Sequence, residues 1–484
     1  MLDDTIAAIA TPLGEGGLAV IRISGAQALT VADKTFVPSG KNAVKPSAAT
    51  SHTIHYGHVV RASQPVDEVL CAVMRAPRSY TREDVVEITC HGGILATKTV
   101  LDTVLENGAR LALPGEFTQR AFLNGRLDLT QAEAVADLIQ SRTELALRGA
   151  NEQLAGKLSV RINQLRDDLM HILAHIEAHL DFPEEDIAPN TRNQLERQLE
   201  GGIAFMDDLL RTAKEGQILR RGIRAAIVGR PNAGKSSLLN QLLGHDRAIV
   251  SHIAGTTRDT IEETANVRGI PVVFIDTAGL REAQNEVESE GIRRSRASLA
   301  RAEFILHVLD ASEPLTPEDK TFLTEFAGKK RILVRNKADL PVRLELPLEP
   351  EAGWGVPFPP NITPPTTNHG AHGVTRPTHS AVVDVSCTTG HGLEMLKDAI
   401  KSLVWSGAIT NEMTQVTINS RHQDALRRAR ESTLLALDSL RADASLEFVA
   451  LDLRLGANAV GEIVGKTTTE DLLDSIFRQF CLGK

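Results

Sequence analysis

The spacing of apolar residues changes along the chain and divides it into four segments. Over residues 1–120, short apolar runs of strand length are broken by Gly and Pro, and helical spacing appears at 94–105. From about 121 to 220, apolar residues recur at steps of three and four, which predicts long amphipathic helices. Strand-like and helix-like runs alternate over 221–405, and helical spacing returns over 406–484. We therefore predict a multidomain α/β plus all-α protein in which an α/β unit is inserted into a helical domain.

Two charged residues interrupt the apolar strands of the first segment. Arg22 lies in the second predicted strand and Glu87 in the fifth. An unpaired charge inside an apolar strand is costly, so the two residues are expected either to pair with one another or to face a polar ligand. The five strands are predicted at 5–10, 18–23, 52–60, 66–74 and 85–89.

Two local signals lie in the second half of the chain. Residues 343–380 are dense in Pro, Gly, Thr and His without a sustained period, which predicts a flexible surface insertion. Thr467 followed by Glu470 fits a capping box and predicts the start of the last helix.

Composition and charge narrow the class of protein. A chain of 484 residues exceeds what one core holds, and 24% charged with 42% apolar residues is typical of a soluble globular protein. The absence of an 18-residue apolar run and the acidic start predict neither a membrane span nor a signal peptide. The net charge of −9 argues against a bulk electrostatic nucleic-acid binder but leaves room for a local basic patch. Four cysteines without a CxxC pattern favour a reducing cytoplasm and no structural zinc.

A phosphate-binding loop follows the apolar run at 223–228. Residues 229–236 read GRPNAGKS, which fits G-x-x-x-x-G-K-[ST], and a helix-like run follows them. Gly229 and Gly234 allow backbone N–H groups to turn towards phosphate oxygens. Lys235 brings a positive charge to the outer phosphates, and Ser236 offers a hydroxyl to Mg²⁺. The motif therefore predicts a nucleoside triphosphate site.

A second motif predicts that the base is guanine. Residues 336–339 read NKAD and follow the apolar run 332–334. The Asp339 carboxylate can accept both N1–H and the exocyclic amine of guanine, and adenine lacks this pair of donors. Two further motifs lie between these loops: GTTRD at 255–259, with Thr257 as the simplest hydroxyl ligand of Mg²⁺, and DTAG at 276–279 beside the γ-phosphate.

The residue after DTAG changes the expected mechanism. Ras-like GTPases place a Gln there to orient the attacking water, whereas this chain has Leu280, which has no hydrogen-bonding group. A downstream carboxylate is then a candidate to position the water, and an added cation could replace the charge that an arginine finger supplies. The carboxylate candidates are Glu282, Glu286, Glu288 and Glu290.

Longer stretches of the chain resemble a known family. They are DTIAAIATPLGEGGLAVIRISG, YTREDVVEITCHGG, PGEFTQRAFLNGRLDLTQAEA and the terminal CLGK. Together with the nucleotide motifs they resemble the MnmE/TrmE family of GTPases, which modify the wobble uridine of certain tRNAs. The resemblance implies an N-terminal α/β domain that dimerises and binds folate (1–120), a helical domain (121–220 and 406–484) and an inserted P-loop, Ras-like G domain (221–405).

The resemblance also implies roles for individual residues. It assigns K⁺ to Asn232, Ser251, Ile253 and Thr256, and Mg²⁺ to Ser236 and Thr257. It makes Glu288 the acid that activates water, and it places Arg22, Glu87, Arg126 and Lys484 at the folate. The implied GTP contacts are Asn232, Ala233, Gly234, Lys235, Ser236, Ser237, Ser251, His252, Ile253, Ala254, Gly255, Thr256, Thr257, Asp276, Thr277, Ala278, Gly279, Asn336, Lys337, Ala338, Asp339, Ser386, Cys387 and Thr388.

Some positions depart from the family pattern or leave alternatives open. Arg126 stands where Lys is common, and the two side chains differ in geometry. Ser251 replaces a common Thr, and the 343–380 insertion is longer than usual. In the family the cysteine of the CLGK ending is a catalytic candidate, so Cys481 either takes part in the chemistry or makes an apolar contact.

The function implied is a K⁺-stimulated GTPase that works as a homodimer. In the family a partner, MnmG, carries FAD and joins it in a heterotetramer that adds a carboxymethylaminomethyl-type group at C5 of tRNA uridine 34. A 5-formyl- or methylene-tetrahydrofolate derivative is the implied one-carbon donor. The implied location is the cytoplasm, with no membrane partner.

Two other classes of protein remain as alternatives. A ribosome-assembly GTPase shares the nucleotide motifs but is expected to carry an RNA-binding module such as a KH domain, and the acidic GEGG at 14–17 is a poor match for one. A folate-dependent aminomethyl transferase without a tRNA role explains the first domain but leaves the G domain idle.

Overall fold

A computed structural model of the protein describes seven stretches of the chain. They are residues 4–41, 43–181, 189–244, 262–275, 301–346, 381–405 and 418–484. The 347–380 part of the predicted insertion lies outside the described residues. The segment limits at 120, 220 and 405 stay predictions.

The first domain is built on a seven-stranded sheet. Its strands lie in the order β3-β4-β5-β6-β2-β1-β7, with short β7 parallel to β1 and the other neighbours antiparallel. Helices α1 (Ala28–Thr35) and α2 (Ile94–Glu106) close one face around a core that includes Ile21, Val86 and Val104. The strands are β1 (Ile6–Ile9), β2 (Gly16–Ser24), β3 (Phe36–Pro38), β4 (Thr53–Arg61), β5 (Gln64–Met74), β6 (Val85–Gly92) and β7 (Arg110–Leu111). All five predicted strands are present in this sheet.

Six helices then follow in succession. The sequence marks several of their starts, since Asp128 caps α4 through a capping box with Gln131. The longest two, α6 and α7, bury one apolar stripe each, as the spacing of three and four predicts. The helices are α3 (Glu116–Leu123), α4 (Leu129–Gln140), α5 (Glu144–Leu154), α6 (Lys157–Asp181), α7 (Pro189–Arg211) and α8 (Ala213–Arg221).

The inserted domain is a six-stranded sheet in the order β13-β12-β11-β8-β10-β9. Strand β9 runs antiparallel to β10, and the other neighbouring pairs are parallel. The loops that follow parallel strands meet at one edge of the sheet, where ligands of such folds bind. The elements are β8 (Ile223–Val228), α9 (Lys235–Gly244), β9 (Glu263–Val267), β10 (Ile270–Phe274), β11 (Phe304–Asp310), α10 (Pro317–Glu325), β12 (Arg331–Asn336), β13 (Ala381–Val385) and α11 (Leu393–Val404).

The helical domain is completed by the last part of the chain. Helices α12 (Ser420–Arg441) and α13 (Leu446–Val464) pack with α6 and α7 in one hydrophobic core. Because this core joins helices from both sides of the α/β unit, that unit is an insertion. The predicted fold class, an α/β domain and a helical domain with an inserted P-loop unit, is confirmed.

The last helix, α14 (Glu470–Phe477), packs elsewhere. Its Phe477, with Phe480, contacts the apolar side of α3 and α4 rather than the core of α12 and α13. The predicted capping box of Thr467 and Glu470 is wrong, because Thr469 caps the helix and the Thr467 hydroxyl donates to the Asn458 carbonyl at 2.8 Å.

The C-terminal tail continues from α14 onto the first domain. The Phe117 N–H donates to the Lys484 carbonyl at 3.2 Å. Gly483 has a φ of +88°, and a Cβ there would lie 2.2 Å from the Ile9 carbonyl oxygen. Glycine is therefore required for the tail to approach strand β1 this closely.

Candidate functional sites

The phosphate-binding loop joins β8 to α9 at the carboxyl edge of the inserted sheet. Gly229 has a φ of +149°, and a Cβ there would lie 2.2 Å from the Val308 carbonyl oxygen. Gly234 has a φ of +96°, and a Cβ there would lie 2.0 Å from the Asn336 side-chain nitrogen. Both positions therefore require glycine, as the motif predicts, and the backbone of the loop fits a phosphate cradle.

The Lys235 side chain is held by the backbone of the loop itself. The Lys235 ammonium donates to the Gly229 and Arg230 carbonyls, both at 2.8 Å. Burial lowers the pKa of Lys235, and Glu318 opposes that shift. Asn232 has a φ of +62°, a backbone conformation that Asn tolerates better than most residues. Lys235 thus presents a partly buried positive charge, as a phosphate ligand requires.

The first turn of α9 carries two of the predicted GTP contacts. Ser236 and Ser237 follow Lys235 in this turn, and Ala233, in the loop before it, is buried. A helix N-terminus directs unpaired backbone N–H groups towards an anion. This arrangement fits phosphate, and Ser236 is the predicted Mg²⁺ ligand that the structure describes.

The predicted guanine loop is tied to the phosphate loop by one asparagine. The Asn336 side-chain nitrogen donates to the Ala233 carbonyl at 2.9 Å, and its oxygen accepts from the Cys387 N–H at 3.4 Å. The Ala338 N–H donates to the Val385 carbonyl at 3.1 Å, and Asp339 is exposed beyond it. One side chain therefore brings together three loops that the sequence analysis assigned to one nucleotide.

Residues 386–388, the third predicted part of the base site, lie next to the guanine loop and are held by hydrogen bonds of their backbone. Ser386 is fully buried and its carbonyl accepts from the Gly390 N–H at 2.9 Å. The Cys387 carbonyl accepts from Gln241 at 2.8 Å, and burial raises the pKa of the Cys387 thiol to about 11. Cys387, like neighbouring Thr388, is therefore suited to a backbone contact rather than to thiolate chemistry.

Sequence reasoning missed a buried carboxylate that links the two loops. Asp310 ends β11 and is 4% exposed. It accepts from the Lys337 ammonium at 2.5 Å and from the Ser312 hydroxyl at 2.6 Å, and a guanidinium nitrogen of Arg230 lies 3.7 Å away. Burial by itself would raise the pKa of Asp310, but Lys337 and Ser312 hold it below its usual value. The available signal was an aspartate directly after an apolar run that ends at the ligand edge of the sheet.

Some predicted site residues lie outside the described part of the chain. The K⁺ and Mg²⁺ ligands that the structure describes are Asn232 and Ser236. The catalytic acid Glu288 is outside it as well. The other such residues are Ser251, His252, Ile253, Ala254, Gly255, Thr256, Thr257, Asp276, Thr277, Ala278 and Gly279.

The charges inside the first sheet form a pair. Arg22 on β2 faces Glu87 on β6 in the strand register, and Arg22 Nε lies 2.7 Å from Glu87 Oε1. This confirms the first of the two alternatives for these residues. The Arg22 guanidinium also lies 5.5 Å from the centre of the Tyr80 ring and 3.5 Å from the Gly483 carbonyl. Arg22 therefore joins the sheet to the C-terminal tail.

The other predicted folate residues lie around this pair. The Arg126 guanidinium lies 4.7 Å from the centre of the Tyr80 ring and donates to the Tyr80 carbonyl at 2.8 Å. Burial lowers the pKa of Lys484, the nearby positive charge of Arg22 lowers it further, and Glu87 opposes both. The structure thus places the four residues close together: Arg22 and Arg126 both lie on the Tyr80 ring, and Lys484 lies near Arg22 and Glu87. We call this group of charges the polar pocket. Cys481, in the same tail, is exposed.

Of the helices in the described part of the chain, none combines the length and the apolarity that a bilayer-spanning segment needs.

Comparison with known proteins identifies the family. Residues 5–126 match the model of the GTP-binding protein TrmE N-terminus, and residues 129–481 match that of the MnmE helical domain. The tRNA modification GTPase MnmE of Geobacillus kaustophilus (strain HTA426) is 45% identical over 99% of both chains. The protein of the same name from Thermoanaerobacter pseudethanolicus is 43% identical over the full length of both. A solved G domain of the T. maritima FeoB iron transporter covers 37% of this chain at 23% identity, with a TM-score of 0.23 that is too low to support a structural argument. By full-length similarity to these relatives, the chain belongs to the MnmE family of tRNA modification GTPases.

Proposed function

We propose that this protein is a K⁺-stimulated GTPase that acts with a flavin-dependent partner of the MnmG type. Together they add a carboxymethylaminomethyl-type group at C5 of uridine 34 in certain tRNAs. The observation that carries the proposal is the bridge from Asn336 to the Ala233 carbonyl at 2.9 Å, which joins the guanine loop to the phosphate loop inside a domain inserted in a helical core. An insertion of this kind couples the state of the nucleotide to the packing of the helices.

The catalytic part of the proposal rests on Leu280, which cannot hold a water by hydrogen bonding. Glu288 takes that role, and K⁺, when bound, supplies the positive charge that an arginine finger supplies elsewhere. Asn232, Ser251, Ile253 and Thr256 hold the K⁺. Ser236 and Thr257 hold Mg²⁺.

The one-carbon part of the proposal rests on the polar pocket of the first domain. Arg22, Glu87, Arg126 and Lys484 bind a 5-formyl- or methylene-tetrahydrofolate derivative there. The contact of the Arg22 guanidinium with the Gly483 carbonyl at 3.5 Å supports this role, because it brings the tail that carries Lys484 beside the Arg22–Glu87 pair. Cys481, exposed beside the pocket, is the proposed catalytic thiol. FAD enters with the partner, in a cytoplasmic complex of two homodimers.

Nucleoside mass spectrometry tests the tRNA role. In a strain that lacks the gene, the wobble uridine of the affected tRNAs should be unmodified, and the wild-type gene should restore the modification. A gene with Glu288→Ala should not restore it. A modified wobble uridine in the deletion strain would overturn the proposal and favour a ribosome-assembly GTPase.

Exchange of the monovalent salt tests the catalytic step. Replacing KCl by NaCl at equal ionic strength should slow GTP turnover about tenfold or more, because a charge that acts on the transition state is worth at least that much. Glu288→Ala should abolish turnover while the affinity for GDP stays within about twofold, since the acid contributes no ground-state binding. An equal rate in both salts would remove K⁺ from the mechanism.

A further inference from the structure

Three arginines surround an open cleft on the first domain. The cleft has a volume of about 490 Å³, and Arg78, Arg82 and Arg126 line it together with Tyr80 and His52. We call this feature the arginine cleft. It adjoins the pocket of Arg22 and Glu87, because Arg126 and Tyr80 belong to both.

The guanidinium groups of the cleft are not neutralised by neighbouring acids. Arg82 donates to the Asn124 carbonyl at 2.9 Å and Arg126 to the Tyr80 carbonyl at 2.8 Å. Within the described residues, no carboxylate forms an ion pair with Arg78, Arg82 or Arg126. Each guanidinium has five N–H donors, so donors remain for a ligand.

The two acids next in sequence are held by other partners. Glu83 lies 3.3 Å from Arg120 and accepts from the Ser24 hydroxyl at 2.7 Å. Asp84 accepts from the Ala76 N–H at 2.9 Å. Neither acid lines the cleft, whose local charge is therefore positive although the chain as a whole carries a net charge of −9.

The backbone at Arg82 gives an independent sign of function. Its φ is +61°, in the left-handed region that favours glycine. A long side chain in that conformation is strained, and such strain clusters at functional positions. An arginine at this position therefore points to a use for its charge.

The shape of the cleft favours a long polyanion over a small ligand. Small-molecule pockets enclose most of their ligand, whereas Arg78 and Arg82 are exposed. The Tyr80 ring is already in contact with the guanidinium groups of Arg126 and Arg22, which compete with a base for stacking on it. The groups that remain are suited to phosphates, which position a nucleic acid without reading its sequence.

We propose that the arginine cleft binds backbone phosphates of the tRNA beside the wobble uridine. The cleft holds the strand so that the uridine reaches the adjoining pocket of Arg22, Glu87 and Lys484. This inference rests on the proposed tRNA role and assigns it a surface. It makes Arg78 and Arg82 positioning residues rather than catalytic ones.

Salt-dependent RNA binding tests the inference. A fluorescent anticodon stem-loop is titrated with the wild-type protein and with Arg78→Ala/Arg82→Gly. The KCl concentration is varied from about 50 to about 200 mM, the range over which affinity from phosphate contacts falls steeply. The glycine removes the charge of Arg82 and relieves its backbone strain, so the variant should fold. Loss of two phosphate contacts should weaken binding about tenfold or more at low salt and reduce the slope of log K against log salt by about 2.

Three controls sharpen this test. Arg61→Ala removes an exposed arginine of the same domain that pairs with Glu106, and it should leave RNA affinity unchanged. Arg78→Lys/Arg82→Lys should recover most of the affinity, since Lys also binds phosphate. Stem-loops with uridine or cytidine at the wobble position should lose affinity equally, because phosphate contacts carry no sequence information.

Other outcomes would overturn the inference. One is wild-type RNA affinity in Arg78→Ala/Arg82→Gly, and another is no measurable RNA affinity in the wild-type protein. A third is weaker binding of 5-formyltetrahydrofolate with RNA binding intact, which would assign the cleft to a small anion. The mass spectrometry described above is independent of these results, so the tRNA role can survive the failure of the cleft.

Discussion

His307 is a buried titratable residue in the middle of the G domain. It lies on β11, fully shielded from solvent, edge-on to the stacked rings of Phe322 and Phe326, whose centres are 6.5 and 6.3 Å away. Neither ring nitrogen has a hydrogen-bond partner among the described residues. Burial, assisted by the charge of Arg331, lowers the pKa of His307 to about 4. The ring is therefore neutral at physiological pH.

This shift predicts that acid destabilises the G domain. An unfolded histidine has a pKa near 6.5, so between about pH 6.5 and 4 the unfolded chain binds the proton more readily and stability falls as the pH falls. At pH 5 the loss should be about 2 kcal/mol. Between pH 7.5 and 5, the free energy of unfolding of His307→Phe should therefore fall by about 2 kcal/mol less than that of the wild type. Urea unfolding followed by fluorescence of buried Trp405 measures this, and an equal loss in both proteins would contradict the burial argument.

The sequence predicted the individual residues of the nucleotide motifs, but it did not predict the residues that hold those motif side chains in place. Gly234, Lys235 and Asn336 are recognisable because phosphate and guanine require those residue types at fixed spacing. Asp310 acts on Lys337 from a neighbouring strand, a contact that the order of residues does not reveal. The failed cap at Thr467 has a similar cause, since a run of three threonines offers equal local choices and a tertiary hydrogen bond decides between them.

Among the helices, one buried ionic cluster joins the parts of the chain on either side of the insertion. Glu133 on α4 accepts from Arg421 on α12 at 2.9 and 3.0 Å. Arg421 also donates to the Glu462 and Ile463 carbonyls at the end of α13, at 2.7 and 2.9 Å. His422 Nε2 lies 2.7 Å from the same carboxylate. One arginine thus holds three helices together.

Removing the carboxylate of this cluster should be costly. Burial by itself would raise the pKa of Glu133, but His422 and Arg421 hold it well below its usual value, so it is charged at pH 7. Glu133→Gln leaves Arg421 without its counter-charge and should destabilise the helical domain by about 3 kcal/mol or more. Thermal unfolding measured by circular dichroism would show this.

A matched control is available on the same helices. Glu462 pairs with Arg428 at 2.6 Å in a more exposed position, so Glu462→Gln should change stability by less than about 1 kcal/mol. Equal losses from the two substitutions would show that burial of the Glu133 cluster is not what matters.

Periodicity predicted the helices well but not their partners. The apolar stripes on α6 and α12 predict that each helix buries one face. Because helical spacing appears both before and after the G domain, the sequence also indicated a shared core. The position of α14 on α3 and α4 depends on phenylalanine contacts far apart in sequence, Phe122 with Phe477 at 6.4 Å between ring centres. Hydrophobic spacing shows that a face is buried, not what buries it.

At the scale of the whole molecule, the C-terminal tail, which includes Gly483 and Lys484, packs against the first domain. Gly483→Ala removes no functional group but brings a Cβ within 2.2 Å of the Ile9 carbonyl oxygen at a strained φ. It should displace Lys484 and weaken binding of 5-formyltetrahydrofolate about tenfold, while GTP turnover stays unchanged. Isothermal titration calorimetry measures the first effect and phosphate release the second.

The control for this substitution is another glycine in open space. A Cβ at Gly328 meets no atom within 4 Å, so Gly328→Ala should change neither folate binding nor turnover. If Gly483→Ala binds the folate as tightly as the wild type does, the tail has no part in the pocket. If the wild type binds no folate, the folate proposal itself fails.

The shared helical core has a consequence for how the chain is made. Its two halves include residues 158–213 and 418–464, so the first half leaves the ribosome long before its packing partner exists. During that interval the G domain can fold as a unit, while the apolar stripes of the earlier helices stay uncovered. The helical core therefore cannot form until residues 418–464 have been synthesised, and a chain that terminates before them would expose apolar helix faces that chaperones and proteases recognise.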